Sequence, residues 1–301
     1  MLAGLALVVA YGLVRGISPL LGTEPPWRVE RPTNTRRTGA FRHPLLKESS
    51  GVAVSRRYPG TLWTLNDSGN DPLLFATDTL GRNLGVLAVP GTSNRDWEAI
   101  ALGPCETRDC LYIADTGNNR RNFDTSTIYR LEEPGLPLDV SSRPRVETLE
   151  FRFPKGTPDV EAAFVDGTGA IYLISKSRGS LPAVYRLAPE SWTDDEHATA
   201  ELVDRLPIDT SSLGSRVTDA ALSPSGRTVA VRTYLAIYLF GHTPAGRLEP
   251  LGVACSAAGL QFQGEGISWL DDRVLVLTSE GGFGSPGTIV LLECGDRRLG
   301  N

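Results

Sequence analysis

The chain has 301 residues, a formal net charge of −5, and 41% hydrophobic and 22% charged side chains. These values exclude a disordered chain and supply a core for one large domain or two ordinary ones. No run of Lys or Arg exceeds two, which argues against a nucleic-acid partner, and 32 Gly with 21 Pro point to many turns and little helix.

The chain opens on an apolar run, Leu2 to Val14, followed by Arg15. The run is short for a membrane span, which needs roughly 20 residues. Its length suits the core of a signal peptide, although no basic residue precedes it and no A-x-A site follows. Residues 1–22 are therefore read as a signal peptide or N-terminal membrane anchor. The folded part is expected to be extracytoplasmic, with membrane contact only through that segment. Residues 23–48 read as a linker with a strand that closes the fold, and 49–301 as the folded domain.

From residue 49 onward one unit recurs. Its first strands read SSGVAVS (49–55), DWEAIAL (96–102), DVEAAFV (159–165), VTDAALS (217–223) and GEGISWL (264–270). Each is followed by a second apolar strand (TLWTLND, CLYIADT, AIYLISK, TVAVRTY, RVLVLTS) and then a third. Four groups offer a fourth run. The fifth lacks one, and Trp27–Arg31 or Arg36–Phe41 could supply it. The leading polar residues lie 46 to 63 residues apart. Four short strands at a period near 50 predict an all-β protein, a β-propeller of five blades of four antiparallel strands, closed by an N-terminal strand. A sixth blade, drawn from 136–154 or 189–213, is the alternative.

In a propeller the first strands line a central channel. Ser50, Glu98, Glu161, Thr218 or Asp219, and Glu265 would then face one axis. Collected carboxylates repel, and a hard cation turns that repulsion into binding. Calcium suits the set because it takes 6–8 oxygens in irregular geometry. The competing expectation is that each group accepts backbone N–H bonds and holds blades in register.

The second strands end in a further ring: Asn66, Asp67, Asp115, Asn118, Lys176, Arg232 and Glu280. Lys176 and Arg232 could clamp a phosphate or carboxylate with help from Asn66 and Asn118. Asp67, Asp115 or Glu280 could activate a water as catalytic acids or bases. Much of LNDSGN and ADTGNN is also ordinary turn chemistry. Four cysteines allow three connectivities. The economical pairing is Cys105 with Cys110 and Cys255 with Cys294, which implies an oxidising compartment. No Gly-x-Ser-x-Gly elbow occurs, and the three His are scattered.

The order Ser, Glu, Glu, Ser/Thr, Glu on successive first strands, with VTDA (217–220) and EGI (265–267), resembles the calcium-activated nucleotidase (apyrase) family. That family is a five-bladed propeller with an axial calcium. The resemblance implies Ser50, Glu98, Glu161, Thr218 and Glu265 as the calcium-facing set. The chain lacks the family's first-blade Asp-Asp and its Arg-Arg pair, which speaks against nucleotide hydrolysis. LNDSGN, DWEAIA and YIADTGNN resemble uncharacterised secreted bacterial propellers. The expected function is a calcium-stabilised binding module for a small anionic ligand or a protein partner. A calcium-dependent hydrolase of phosphate or ester bonds is the alternative.

Overall fold

The computed structural model describes residues 26–120, 122–138, 143–193 and 198–295. The expected leader, residues 1–22, lies outside the described residues. Five sheets stand around one axis. Blade 1 is Ser49–Val54, Thr61–Asn66, Leu73–Asp78 and Asn83–Ala88. Blade 2 is Trp97–Cys105, Arg108–Asp115, Ser126–Glu132 and Val146–Arg152. Blade 3 is Val160–Val165, Ile171–Ser175, Ala183–Leu187 and Glu201–Arg205. Blade 4 is Val217–Leu222, Thr228–Thr233, Ala236–His242 and Leu248–Ser256. Blade 5 is Gly264–Trp269, Val274–Ser279 and Thr288–Glu293, completed by Asn34–Ala40 from the other end of the chain.

The five inner strands pack side by side in a closed ring. The segments that could have made a sixth blade are spent otherwise. Val146–Arg152 is the fourth strand of blade 2, and Glu201–Arg205 the fourth strand of blade 3. Ala198–Thr199 adds a fifth strand to blade 2, and Arg28–Glu30 adds one to blade 4, both in parallel. Of the two expected closing segments, the one near Arg36 closes the ring and the one near Trp27 thickens its neighbour.

The core lies between blades, in apolar layers built from the facing sheets of adjacent blades. Inner strands carry small residues such as Ala99, Ala162 and Ala220, all buried, because the sheets converge toward the axis. Larger side chains fill the widening gap. Trp63 and Trp97 are wholly buried, and Trp63 donates its indole N–H across blades to Glu133 (2.9 Å). Trp269 likewise donates to the Ala221 carbonyl (3.0 Å).

Two disulfides have the expected pairing. Cys105–Cys110 closes a hairpin, and Cys255–Cys294 ties the outer strand of blade 4 to the end of blade 5. Among the described residues, no helix is long and apolar enough to cross a membrane.

Candidate functional site

Every inner strand carries an extra residue near its start. Trp97 and Ala99 stand opposite consecutive residues of the next strand, so Glu98 is inserted between them. Ser50, Glu161 and Thr218 are inserted in the same way in blades 1, 3 and 4. In blade 5 the extra residue falls at Glu265 or Gly266. A β-bulge re-aims a side chain, and here it recurs five times at one level of the axis. It also separates Thr218 from Asp219. Asp219 stays in the ladder, where its carboxylate accepts the N–H groups of Ala220 and Ile267 (both 2.8 Å) and fastens blade 4 to blade 5.

The five side chains fare differently. Ser50 donates to the Trp97 carbonyl (2.9 Å) and Thr218 to the Glu265 carbonyl (3.0 Å), so both hydroxyls tie one blade to the next. Glu161 meets the Lys176 ammonium at 2.7 Å. Glu265 accepts from the Tyr234 hydroxyl (3.0 Å). Glu98 is only 5% exposed, yet no hydrogen bond or ion pair reaches its carboxylate from any described residue.

Glu98 instead faces other acids. One carboxylate oxygen each from Asp67, Asp96 and Glu98 lie within 4.8 Å of one another, and the same holds for Glu98, Asp159 and Glu161. Either trio could hold a metal. Of the axial set, Glu98 belongs to both trios and Glu161 to the second, while Glu265 joins neither. Asp96 and Asp159 were missed from sequence, although they repeat one signal, Asp-x-Glu at 96–98 and 159–161. Glycine at 117 makes the crowding possible. A Cβ there would lie 2.2 Å from Glu98 Oε1 and 2.4 Å from the Asp96 carboxylate.

Burial and like charge raise Glu98, Glu161, Asp96 and Asp67 above the usual carboxylate range. Burial first, then Glu161, Asp67 and Asp96, push Glu98 well above the usual carboxylate range. Glu161 rises to about 8, chiefly through burial and in spite of Lys176. Asp96 rises to about 6 through burial and Asp67, and Glu280 to about 8 through burial and Glu265. Asp67 and Glu265 rise as well, again mainly through burial. The acids in turn raise the Lys176 ammonium against the opposing effect of its own burial. Lys176 is the cation that Glu98, Glu161 and Glu265 share.

Of the second ring, four residues serve the framework. Asn66 accepts the N–H groups of Lys47 and Glu48 (both 3.0 Å) and donates to Leu45, pinning the incoming linker. Asn118 accepts from Asn122 (2.8 Å) and donates to Phe123 and Thr157 (both 3.1 Å), holding its own loop. Asp115, buried, accepts the Asp96 N–H (2.8 Å) with Arg95 nearby, so it positions Asp96 rather than meeting solvent. Arg232 is 1% exposed and spends its guanidinium on Gly266 O (2.6 Å), Thr278 O (2.8 Å) and Gln261 Oε1 (2.8 Å). A Cβ at Gly264 would lie 1.8 Å from its Nη2. Arg232 is thus a clamp between blades 4 and 5, not an anion-facing cation. Asp67, Lys176 and Glu280 remain at the mouth, with Glu280 accepting from Gln263 (2.8 Å).

No protein-family model matches the sequence, and no curated protein is similar to it in sequence. The fold is similar to known propellers. A PQQ-bound aldose sugar dehydrogenase from Streptomyces coelicolor aligns over 88% of this chain and 100% of its own, with 13% identity and a TM-score of 0.54. A glucose dehydrogenase aligns over 87% and 100%, with 8% identity and a TM-score of 0.50. A gluconolactonase from Xanthomonas campestris covers 89% and 100% at 13% identity and a TM-score of 0.44. The two dehydrogenases support the propeller fold and lend no support to the nucleotidase resemblance; at such identity they speak for the fold alone.

Proposed function

We propose that the chain is an exported, calcium-stabilised β-propeller that works as a binding module. Its mouth would offer a metal-held docking point to a small anionic ligand or a loop of a protein partner. One observation carries the reading: Glu98, 5% exposed, receives no direct hydrogen bond or ion pair from a described residue, only the more distant field of Lys176, and stands beside Asp67 and Asp96. All three donors are carboxylates, the hard oxygen ligands that calcium accepts in irregular geometry. This trio is preferred to the second, because Lys176 already engages Glu161, while Arg178 and the Asn118 N–H engage Asp159. Without a cation the mouth repels anions; with one it can receive a carboxylate or phosphate. Export accords with the two disulfides, which persist in oxidising compartments.

Hydrolysis of phosphate or ester bonds is the second reading. Glu280, pushed up to about 8 at the same mouth, is suited to move a proton near neutrality. Asp67 and Glu280, rather than the engaged Asp115, would be its acids. Titration of metal-stripped protein with calcium, followed by calorimetry, tests the cation site. A saturable site lost in Asp96→Asn/Glu98→Gln is expected; no heat and no metal by elemental analysis would refute it. Turnover of nitrophenyl phosphates or esters by the calcium form would then decide for the hydrolase over the binding module.

A further inference from the structure

The mouth is acidic, but the hollow beside it is not. A cavity of about 590 Å³ opens where blade 2 meets blade 3, within the size range of small-molecule sites. Lys155, Arg178 and Arg205 all line it, on a chain whose net charge is −5. Two acids line it as well. Asp159 is engaged by the Asn118 N–H (2.9 Å) and by Arg178 (3.4 Å), and Asp124 is exposed. Lys155 and Arg205 are exposed and their side chains make no ion pair or hydrogen bond with any described residue. Positive charge therefore remains in the hollow after its internal pairs are counted.

The floor supplies donors. Tyr185 is 9% exposed, and its hydroxyl has no hydrogen-bond partner among the described residues. Ser177 sits in a left-handed conformation (φ 51°) that a non-glycine residue seldom adopts, with its hydroxyl 3.0 Å from that of Ser175. Guanidinium, ammonium and hydroxyl groups around one concavity make the donor set that recognises an oxyanion.

We propose that this pocket binds a small oxyanion, a carboxylate or a phosphate, through Arg205, Lys155 and the Tyr185 hydroxyl. The site deepens the anion-binding part of the function proposed above but does not rest on the metal. Asp67, Asp96 and Glu98 do not line it. Failure of calcium to bind would leave it standing, and failure of anions here would leave the cation site standing.

The test uses the full protein, stripped of metal on a chelating resin so that no soluble polycarboxylate is introduced. Inorganic phosphate and citrate are titrated separately by calorimetry at constant ionic strength. One saturable site for at least one of the two is expected, and the responding arm identifies the ligand's acid group. Lys155→Gln/Arg205→Gln should weaken it at least about tenfold, and Tyr185→Phe about threefold to tenfold. Arg56→Gln, at a surface ion pair with Asp109 elsewhere, should leave it unchanged. Melting curves of all variants verify folding. The proposal is overturned if neither anion binds saturably. It is also overturned if the double variant and Tyr185→Phe bind as tightly as the parent.

Discussion

Replacing Glu98 with Gln keeps the side chain's shape and removes its charge. That charge lies within 4.8 Å of Asp67 and Asp96 on one side and of Asp159 and Glu161 on the other. At such a separation and an effective dielectric of about 20, two unit charges repel by about 3 kcal/mol. Proton uptake by Glu98 and Glu161 relieves part of this near neutrality. The metal-free variant should therefore exceed the parent in stability by about 1 to 2 kcal/mol, or roughly 2 to 8 °C in melting temperature for a domain of this size. Calcium reverses the order. An ion at a hundredfold excess over its Kd stabilises the parent by about 2.7 kcal/mol, and the variant should gain little. The acids also set a pH dependence. Their folded pKa values are raised, so the native state holds more protons than the unfolded chain between pH 4.5 and about 8. Stability without metal should fall as pH rises through that window, and calcium should flatten the fall. Thermal melts at pH 5 to 8, with and without calcium, read all three effects. A metal-free Glu98→Gln protein that melts below the parent would refute the account, as would a parent indifferent to calcium.

Arg232→Met removes the donor to two buried carbonyls and to the part-buried Gln261 Oε1 and should destabilise by about 3 kcal/mol or more, with the calcium-induced shift retained in denaturant titrations. Gly117→Ala drives a methyl group into Glu98 and Asp96; weaker calcium binding with the apo melting point changed by only a few degrees is expected from paired calorimetry and melts. Cys255→Ser/Cys294→Ser opens a link spanning 39 residues and should cost about 4 kcal/mol by loop entropy, measured by urea unfolding. Lys176→Met removes the ammonium beside Glu161, so the metal-free protein should lose stability while the calcium-induced rise in melting temperature grows.

The blades were legible because strand triplets at a near-constant period have few other solutions. The axial glutamates were legible for the same reason, as residues at one position of the repeat. Their bulges were not, since a register shift appears only when two strands are laid side by side. Asp96 and Asp159 open the segments DWEAIAL and DVEAAFV, yet the repeat assigns only the glutamates two residues on to the axis, because the bulge that brings the aspartates beside them is a matter of register and not of spacing. Arg232 misled because a charge at a strand end suggests solvent; its burial depends on Gly264, distant in sequence, leaving room for the guanidinium. Asn66 and Asn118 show the same ambiguity, for amides that grip loops and amides that grip ligands look alike in a sequence.

The ring is locked by its beginning meeting its end: Asn34 pairs with Glu293, 259 residues further on. A ribosome adding about 5 to 20 residues per second leaves Asn34–Ala40 waiting on the order of 10 to 50 s for its neighbour. Throughout that interval the first four blades have no closing partner, and blade 5 does not exist. Such long-range pairing makes folding slow and leaves a bare strand open to a second nascent chain. Yield in a heterologous host should therefore respond more to chaperone supply and expression temperature than to changes at the mouth.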